Sequence, residues 1–263
     1  DRPCVSIDLR ELNQVLEVDA TSRAARIQGG VLGPHLEDQL RPHGFTLRHY
    51  PQSFEWSTLG GWIVTRSGGH YATNHTHIDD FVESTRMVTP KGIMESRRLP
   101  GSGAGPSPDR FALGSEGIFG VIPDVDVRIR PAPAMRRYEA WIAEDFRSGN
   151  EIMRDLAQAG LLPTIARVSD DAETRVSLAS AVPSGVAGSA FKGYLGLRGR
   201  SGGSLVIVGI EGPSDHARRT HPVIASRPRN GGPVSLGQSA GHAWSQGRLP
   251  RPPPRPPRGA RGV

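Results

Sequence analysis

Three stretches of this sequence hold residues whose types and spacing could do chemistry. The densest reads Pro51-Gln52-Ser53-Phe54-Glu55-Trp56-Ser57-Thr58-Leu59-Gly60-Gly61-Trp62-Ile63-Val64-Thr65-Arg66-Ser67-Gly68-Gly69. Small and hydroxyl residues among glycines let a backbone come close to a ligand and offer it N–H and O–H donors. Such a nest suits a phosphate or diphosphate, and taken alone the same composition also makes a plain loop. The second stretch is Phe111-Ala112-Leu113-Gly114-Ser115-Glu116-Gly117-Ile118-Phe119-Gly120-Val121-Ile122, where three glycines at a spacing of three can turn tightly beneath a flat ring system. It is not the dinucleotide fingerprint of a Rossmann fold, because no βαβ unit surrounds it in the right order. The third stretch, His70, His75 and His77 with Asp79-Asp80, has metal-ligand residue types. It reads as a solvated or ligand-adjacent loop, and no metal ligand is assigned. Trp56 and Trp62 could stack on a ligand, but they read as core residues. No Gly-x-Ser-x-Gly elbow or paired-cysteine motif supplies a rival active site.

Regular elements must hold these segments. Residues 5–8, 15–18 and 25–28 read as short strands separated by turn-forming Asn13, Asp19 and Ser22. A helix follows over about residues 33–43, with Leu32, Leu36 and Leu40 on its apolar face and Gly44 as its left-handed stop. From Asp79-Asp80-Phe81 the pattern gives a strand over 85–88, a Thr89-Pro90-Lys91-Gly92 turn and a return over 93–95. Residues 121–129 form a strand with Val125, Val127 and Ile129 on one face. Pro131, Pro133 and the change of pattern at Arg136-Arg137-Tyr138 mark a boundary. Beyond it the pattern predicts a strand over 138–142 and a helix over 146–159 stopped by Gly160. A strand over 164–168, an unassigned stretch at 192–199, a buried strand over 204–210 and a helix from Ser214 follow. This is an α+β fold, with residues 1–133 as one domain and 134–248 as a smaller cap packed on it.

Length and composition set the outer bounds. A chain of 263 residues with 36% hydrophobic content can bury a sizeable core. No apolar run approaches the roughly 20 residues that cross a bilayer, so no transmembrane segment is expected. Asp1-Arg2-Pro3-Cys4 lacks the charged and apolar regions of a signal peptide, and the chain reads as truncated at its start. The single cysteine, Cys4, excludes an internal disulfide, fits a reducing cytoplasm and reads as a small apolar filler near a strand. Of the net charge of +6, four units belong to Arg251, Arg255, Arg258 and Arg261 in a Pro/Arg tail at 249–263 that contains no acid. That tail cannot bury enough apolar surface to fold; its composition suits a polyproline ligand or a basic arm, and is also what a shifted reading frame in a G+C-rich gene encodes, the reading favoured here. The remainder is nearly neutral, so a nucleic-acid partner is not expected.

Taken together, the two glycine-rich stretches are more specific than either alone. Pro-x-Ser-x-Glu-x-Ser-Thr-x-Gly-Gly-Trp followed by Thr65-Arg66, then Gly-Ser-Glu-Gly-x-x-Gly-Val-Ile, resembles the FAD-binding domain of the vanillyl-alcohol oxidase type. Within that superfamily the chain is most similar to the alkyl-dihydroxyacetonephosphate synthases. The similarity runs through Asp79-Asp80, through Met87-Val88-Thr89-Pro90-Lys91-Gly92-Ile93 and Arg128-Ile129-Arg130-Pro131, and more faintly to about Arg248. It implies FAD as cofactor, with contacts on residues 51–57, 65–68 (Thr65, Arg66, Ser67, Gly68) and 114–122. It also implies a role in activity for Arg130, and the second half of a flavin domain followed by part of a substrate domain. The implied reaction replaces the acyl group of an acyl-dihydroxyacetone phosphate by a long-chain alkoxy group, with the flavin as electron sink. An FAD-linked 2-hydroxy-acid oxidase or dehydrogenase and an inactive remnant are the alternatives. The implied partners are a lipid or hydroxy-acid small molecule, a membrane surface touched peripherally, and a second copy in a homodimer.

Several family features are missing or altered. The family's Gly-rich phosphate loop belongs upstream of Asp1, and its catalytic tyrosine and histidine cluster belong beyond Arg248. Ala243 falls near a substrate-phosphate arginine, and Pro123 stands where the family has threonine. The 263 residues alone are therefore expected to bind FAD weakly or not at all.

Overall fold

The computed structural model describes residues 4–71, 73, 77–99, 105–181, 185–200, 202–226 and 232–247. Strands β1 (Val15–Asp19) and β2 (Ala24–Gln28) form a hairpin. Its turn is closed by the Asp19 carboxylate, which accepts the N–H groups of Thr21 and Ser22 at 2.9 Å each, and by Arg23 at φ 54°. Helix α1 (Gly33–Leu40) buries Leu36 and Leu40. A short 3₁₀ turn carries the chain to Gly44, whose φ of 78° provides the left-handed stop. Next come β3 (Phe45–Thr46), α2 (Leu59–Val64), the hairpin β4 (Val82–Thr89) and β5 (Gly92–Glu95), α3 (Pro108–Ala112), β6 (Val121–Arg128) and β7 (Arg130–Pro131).

The first sheet has the order β1-β2-β6-β4-β5 and is antiparallel throughout. The pairing of β2 with β6 places residues a hundred positions apart side by side: Arg26 donates to the carboxylate of Asp126 at 3.0 Å. Ala25, Ile27, Val125, Val127 and Met87 from this sheet pack on Leu36, Leu59, Trp62, Ile63 and Phe81. Pro123 has no N–H, yet it lies inside β6. The β4–β6 register shifts between Arg86 and Val88, so Pro123 sits at a bulge where no ladder donor is required. Its carbonyl accepts the Gly29 N–H at 2.8 Å.

Gly29 closes the end of β2 against this bulge. A Cβ there would lie 2.2 Å from the Ile122 carbonyl oxygen, a backbone atom that cannot rotate away. Gly29→Ala is expected to destabilise the protein by about 2–3 kcal/mol, read as a fall in Tm of roughly 5–10 °C. An unchanged Tm would mean that the bulge yields.

The second sheet, of order β11-β8-β10-β9, joins β8 (Met135–Ala143), β9 (Ile165–Val168), β10 (Ser204–Gly212) and β11 (Val234–Leu236). Its helices are α4 (Phe146–Gln158), α5 (Asp171–Ala181), α6 (Val186–Leu197), α7 (Ser214–Ala225) and α8 (Gly237–Gly247). Because side chains alternate along a strand, each face has its own core. Tyr138, Ile142, Leu205 and Ile207 pack with Leu195 of α6 and Trp244 of α8. Trp141, Val206, Val208 and Ile210 pack with Leu156 of α4 and with Ala217 and Ile224 of α7. Among the described residues no helix is long and apolar enough to cross a membrane.

The α+β class agrees with the sequence reading, and several local expectations are corrected. Residues 5–8 form no strand, because Val5 and Ile7 are exposed and have no neighbouring strand to pair with. Cys4 is likewise exposed. The unassigned stretch at 192–199 belongs largely to α6, and α5 and α8 were not anticipated. Trp56 is 60% exposed, whereas Trp62 is buried. The Pro/Arg tail, Arg248 and His75 lie outside the described residues.

Candidate functional site

Helix α2 organises the site. At its start the Thr58 hydroxyl accepts the Gly61 N–H at 3.3 Å, and the Gly60 N–H donates to the Gly29 carbonyl at 2.7 Å. A Cβ on Gly60 would come 2.9 Å from that oxygen, so a glycine there lets the helix dock on the end of β2. At the other end the last turn leaves carbonyls without intrahelical partners, and two separate segments take them. Trp62 accepts from the Ser67 N–H at 2.9 Å, and Ile63 from Arg66 and Gly114 at 3.2 and 3.1 Å. Val64 accepts from Glu116 at 2.9 Å. Residues 65–68 and 114–117 are thereby held side by side.

The backbone where they meet is left-handed. Arg66 (φ 50°), Gly114 (φ 74°), Glu116 (φ 53°) and Gly117 (φ 77°) share this conformation, which a residue other than glycine adopts only under constraint. A Cβ on Gly114 would lie 2.6 Å from the Arg66 Cδ. The N–H groups of Gly114, Ser115, Glu116 and Ile118 are taken by the carbonyls of Ile63, Ala112, Val64 and Ser115, which pins the turn. Ser115 sits within this turn, 7% exposed, and its Oγ has no hydrogen-bond partner among the described residues. Beside it Arg66 and Arg110 both donate to Oδ2 of buried Asp79, at 2.7 and 2.6 Å. Burial works to raise the Asp79 pKa, but the Arg66 hydrogen bond and the two guanidinium charges outweigh it and hold the carboxyl below its ordinary range.

The remaining sequence-predicted residues divide by environment. In the 51–57 turn, the Ser57 hydroxyl donates to the Ser53 carbonyl at 2.8 Å and accepts from the Trp62 indole at 2.6 Å. Phe54 is buried, its ring 4.7 Å from Tyr50 and 6.0 Å from Trp62 between centroids, so its side chain serves packing. Pro51 is buried, Gln52 and Ser53 are exposed, and Glu55 is half-buried. Gly68 bridges to His77. Ile118 is 76% exposed, and Phe119 stacks on Phe111 at 4.1 Å. Gly120 passes so close to β4 that a Cβ would meet the Val88 carbonyl oxygen at 2.2 Å. Val121 and Ile122 then enter β6.

Arg130 belongs to a different part of the site. It pairs with Thr46 across the β3–β7 bridge, and its guanidinium lies 6.0 Å from the centroid of Phe81. Burial first, and the charge of Arg48 second, pull its pKa below the ordinary arginine value.

Sequence reasoning missed the groups around Arg48. Arg48 has φ 63° and is 7% exposed. His49 is buried, with Nε2 2.9 Å from the Ser67 Oγ. Only the proximity of Arg48 and His49 to Pro51 could have drawn notice to them. Among the described residues no group of three His, Cys, Asp or Glu is placed to hold a metal ion.

Comparison with known proteins places this geometry. A family profile described as an FAD binding domain matches residues 1–96. Over 264 aligned residues the chain is 34% identical to the alkyldihydroxyacetonephosphate synthase of Dictyostelium discoideum, an alignment covering 96% of this chain and 42% of that protein. The synthase of Trypanosoma brucei brucei is 31% identical over 95% of this chain and 42% of its own length. A solved structure of alkyldihydroxyacetonephosphate synthase superposes with a TM-score of 0.81 at 34% identity, covering 92% of this chain and 44% of that one. The chain thus spans less than half the length of the relatives it matches. Family profile, sequence identity and superposed structure agree that this chain carries an FAD binding domain over residues 1–96 and is homologous over most of its length to part of the alkyldihydroxyacetonephosphate synthases.

Proposed function

We propose that residues 4–133 supply part of the FAD-binding wall of an alkyldihydroxyacetonephosphate synthase and residues 134–247 part of its substrate side. The observation that carries this reading is the turn at 114–117. Its left-handed backbone is pinned to the end of α2, and the buried Ser115 hydroxyl has no protein partner among the described residues. A buried hydroxyl left unpaired costs about 1–3 kcal/mol, so a bound group that pairs with it stabilises the site. Those features suit FAD: the Ser115 hydroxyl is left to pair with a polar group of the cofactor, with residues 51–57, 65–68 and 118–122 flanking it. The flavin, when bound, supplies an electron sink that lets the substrate carbon exchange groups without net oxidation.

The protein's residues then have the work of binding and orientation. The Asp79 carboxylate fixes Arg66 and Arg110, and so stiffens the loop that faces the cofactor. Arg130, half-buried and charged, is suited to hold an anionic part of the substrate. The net reaction joins acyl-dihydroxyacetone phosphate and a long-chain alcohol to give alkyl-dihydroxyacetone phosphate and a free fatty acid. The alkoxy oxygen of the product comes from the alcohol.

The full-length enzyme, given palmitoyl-dihydroxyacetone phosphate and labelled hexadecanol, is expected to form labelled ether product. Offered lactate or glycolate with a dye acceptor, it is expected to reduce no dye. Dye reduction without ether product would replace this reading with that of a hydroxy-acid dehydrogenase.

A further inference from the structure

A buried ion pair joins the segment after β3 to the second sheet. The Arg48 backbone is held left-handed by its N–H, which donates to Glu37 Oε1 at 3.2 Å and to Thr46 Oγ1 at 3.1 Å. Its guanidinium lies 3.7 Å from the Tyr71 ring centroid and 5.1 Å from that of Tyr50. Nη2 donates to Oε2 of Glu211, on β10 of the second sheet. The other Glu211 oxygen accepts the hydroxyl of Tyr138 on β8. Both charged side chains are almost fully buried, at 7% and 3% exposure.

On its other side Arg48 is continuous with the segment read as a cofactor contact. The next residue, His49, meets Ser67 Oγ through Nε2 at 2.9 Å. The His70 N–H donates to the Tyr50 carbonyl at 2.9 Å. Gly69 packs so closely that a Cβ would lie 3.1 Å from His49 Nδ1 and 3.2 Å from the Tyr50 nitrogen. Residues 48–50 and 67–71 therefore form one two-ply strip. One edge presents Ser67 and the 65–68 loop, and the other is clamped through Arg48 and Tyr71 to β8 and β10.

We infer that Glu211 is a positioning residue for the cofactor loop: by holding Arg48 it fixes the strip that presents Ser67, so the second sheet governs FAD affinity without touching FAD. The inference rests on the reading of residues 65–68 as cofactor-contacting. Physically, a buried guanidinium stripped of its carboxylate is strongly unfavourable and turns toward water. Arg48 cannot turn without releasing Tyr71 and dragging His49, and with it the Ser67 hydroxyl.

The test uses apoprotein prepared from the full-length enzyme, titrated with FAD by flavin fluorescence, with visible circular dichroism and Tm recorded alongside. Glu211→Gln is expected to weaken FAD binding about tenfold or more and to change the visible dichroism of bound flavin. The pair Arg48→Met with Glu211→Gln removes both charges of the ion pair, so its Tm should return toward wild type. Its FAD affinity should stay about tenfold weakened, because the clamp is still missing. An affinity that recovers together with Tm would make the pair merely structural and overturn the inference. Ser67→Ala separates the two readings. Unchanged affinity in Glu211→Gln with weakened affinity in Ser67→Ala overturns the inference alone. Unchanged affinity in both overturns it together with the cofactor reading of the loop.

Discussion

Ser115→Leu in the full-length enzyme is expected to yield protein that purifies without flavin. Ser115 is buried within a turn whose neighbours Gly114 and Glu116 are left-handed, and that turn is fastened to the end of α2 by the N–H groups of Gly114 and Glu116. The leucine side chain has two more heavy atoms than that of serine, where the backbone on both sides is pinned. Overpacking of this kind costs about 1–3 kcal/mol, and on the reading proposed above it displaces the Ser115 position that would meet the cofactor. The expected loss of FAD affinity is about a hundredfold or more. Ser115→Ala serves as the control. It removes only the hydroxyl, so a single hydrogen bond of about 1 kcal/mol is lost, a weakening of roughly fivefold. Stoichiometric yellow flavin in the leucine variant would mean that the turn does not face the cofactor.

The second large effect is on stability against pH and comes from His49. Its ring is enclosed by Trp62 and Phe81, at 5.4 and 5.6 Å between centroids, and faces the Ser67 hydroxyl. Burial first, and the nearby His77 second, lower its pKa to about 4. The unfolded chain binds the proton near pH 6.5, and the folded chain resists it until about pH 4. The contribution of neutral His49 is therefore complete above about pH 7 and drains away as pH falls through that window, reaching about 3 kcal/mol. Glu37 acts with the opposite sign. Burial above all raises its pKa, so protonation on acidification relieves the folded state. The comparison that isolates His49 is the difference between wild type and His49→Gln, measured by urea unfolding at pH 7 and pH 4.5. Wild type should lose the larger share, and the glutamine variant should show a flatter profile. Parallel profiles would mean that the imidazole accepts its proton inside the fold.

Both effects depend on features that the linear sequence discloses unequally. The turn at Gly114-Ser115-Glu116-Gly117 was legible because backbone handedness is a local matter. Glycines at those positions announce positive φ before any partner is known. The same holds for the Gly44 and Gly160 helix stops, for β6, whose apolar residues Val125 and Val127 alternate with polar ones, for the β4–β5 hairpin with its Thr89-Pro90-Lys91-Gly92 turn, and for β10, a continuous apolar run. What stayed hidden needed two distant segments at once. Val5 to Asp8 has the composition of a strand and lacks a neighbour to pair with, so it remains irregular. Trp56 and Trp62 are six positions apart in one segment, yet only the docking of α2 on Gly29 decides that one is enclosed and the other faces water. By itself the sequence determined the α+β class, the main strands and the glycine turns, since each follows from short-range periodicity and the steric freedom of single residues. The tertiary structure alone decided that Arg48 meets Glu211, that Asp79 gathers Arg66 and Arg110, and that His49 is sealed from water. The free energy of a buried charge or ring depends on what the fold brings against it from elsewhere in the chain.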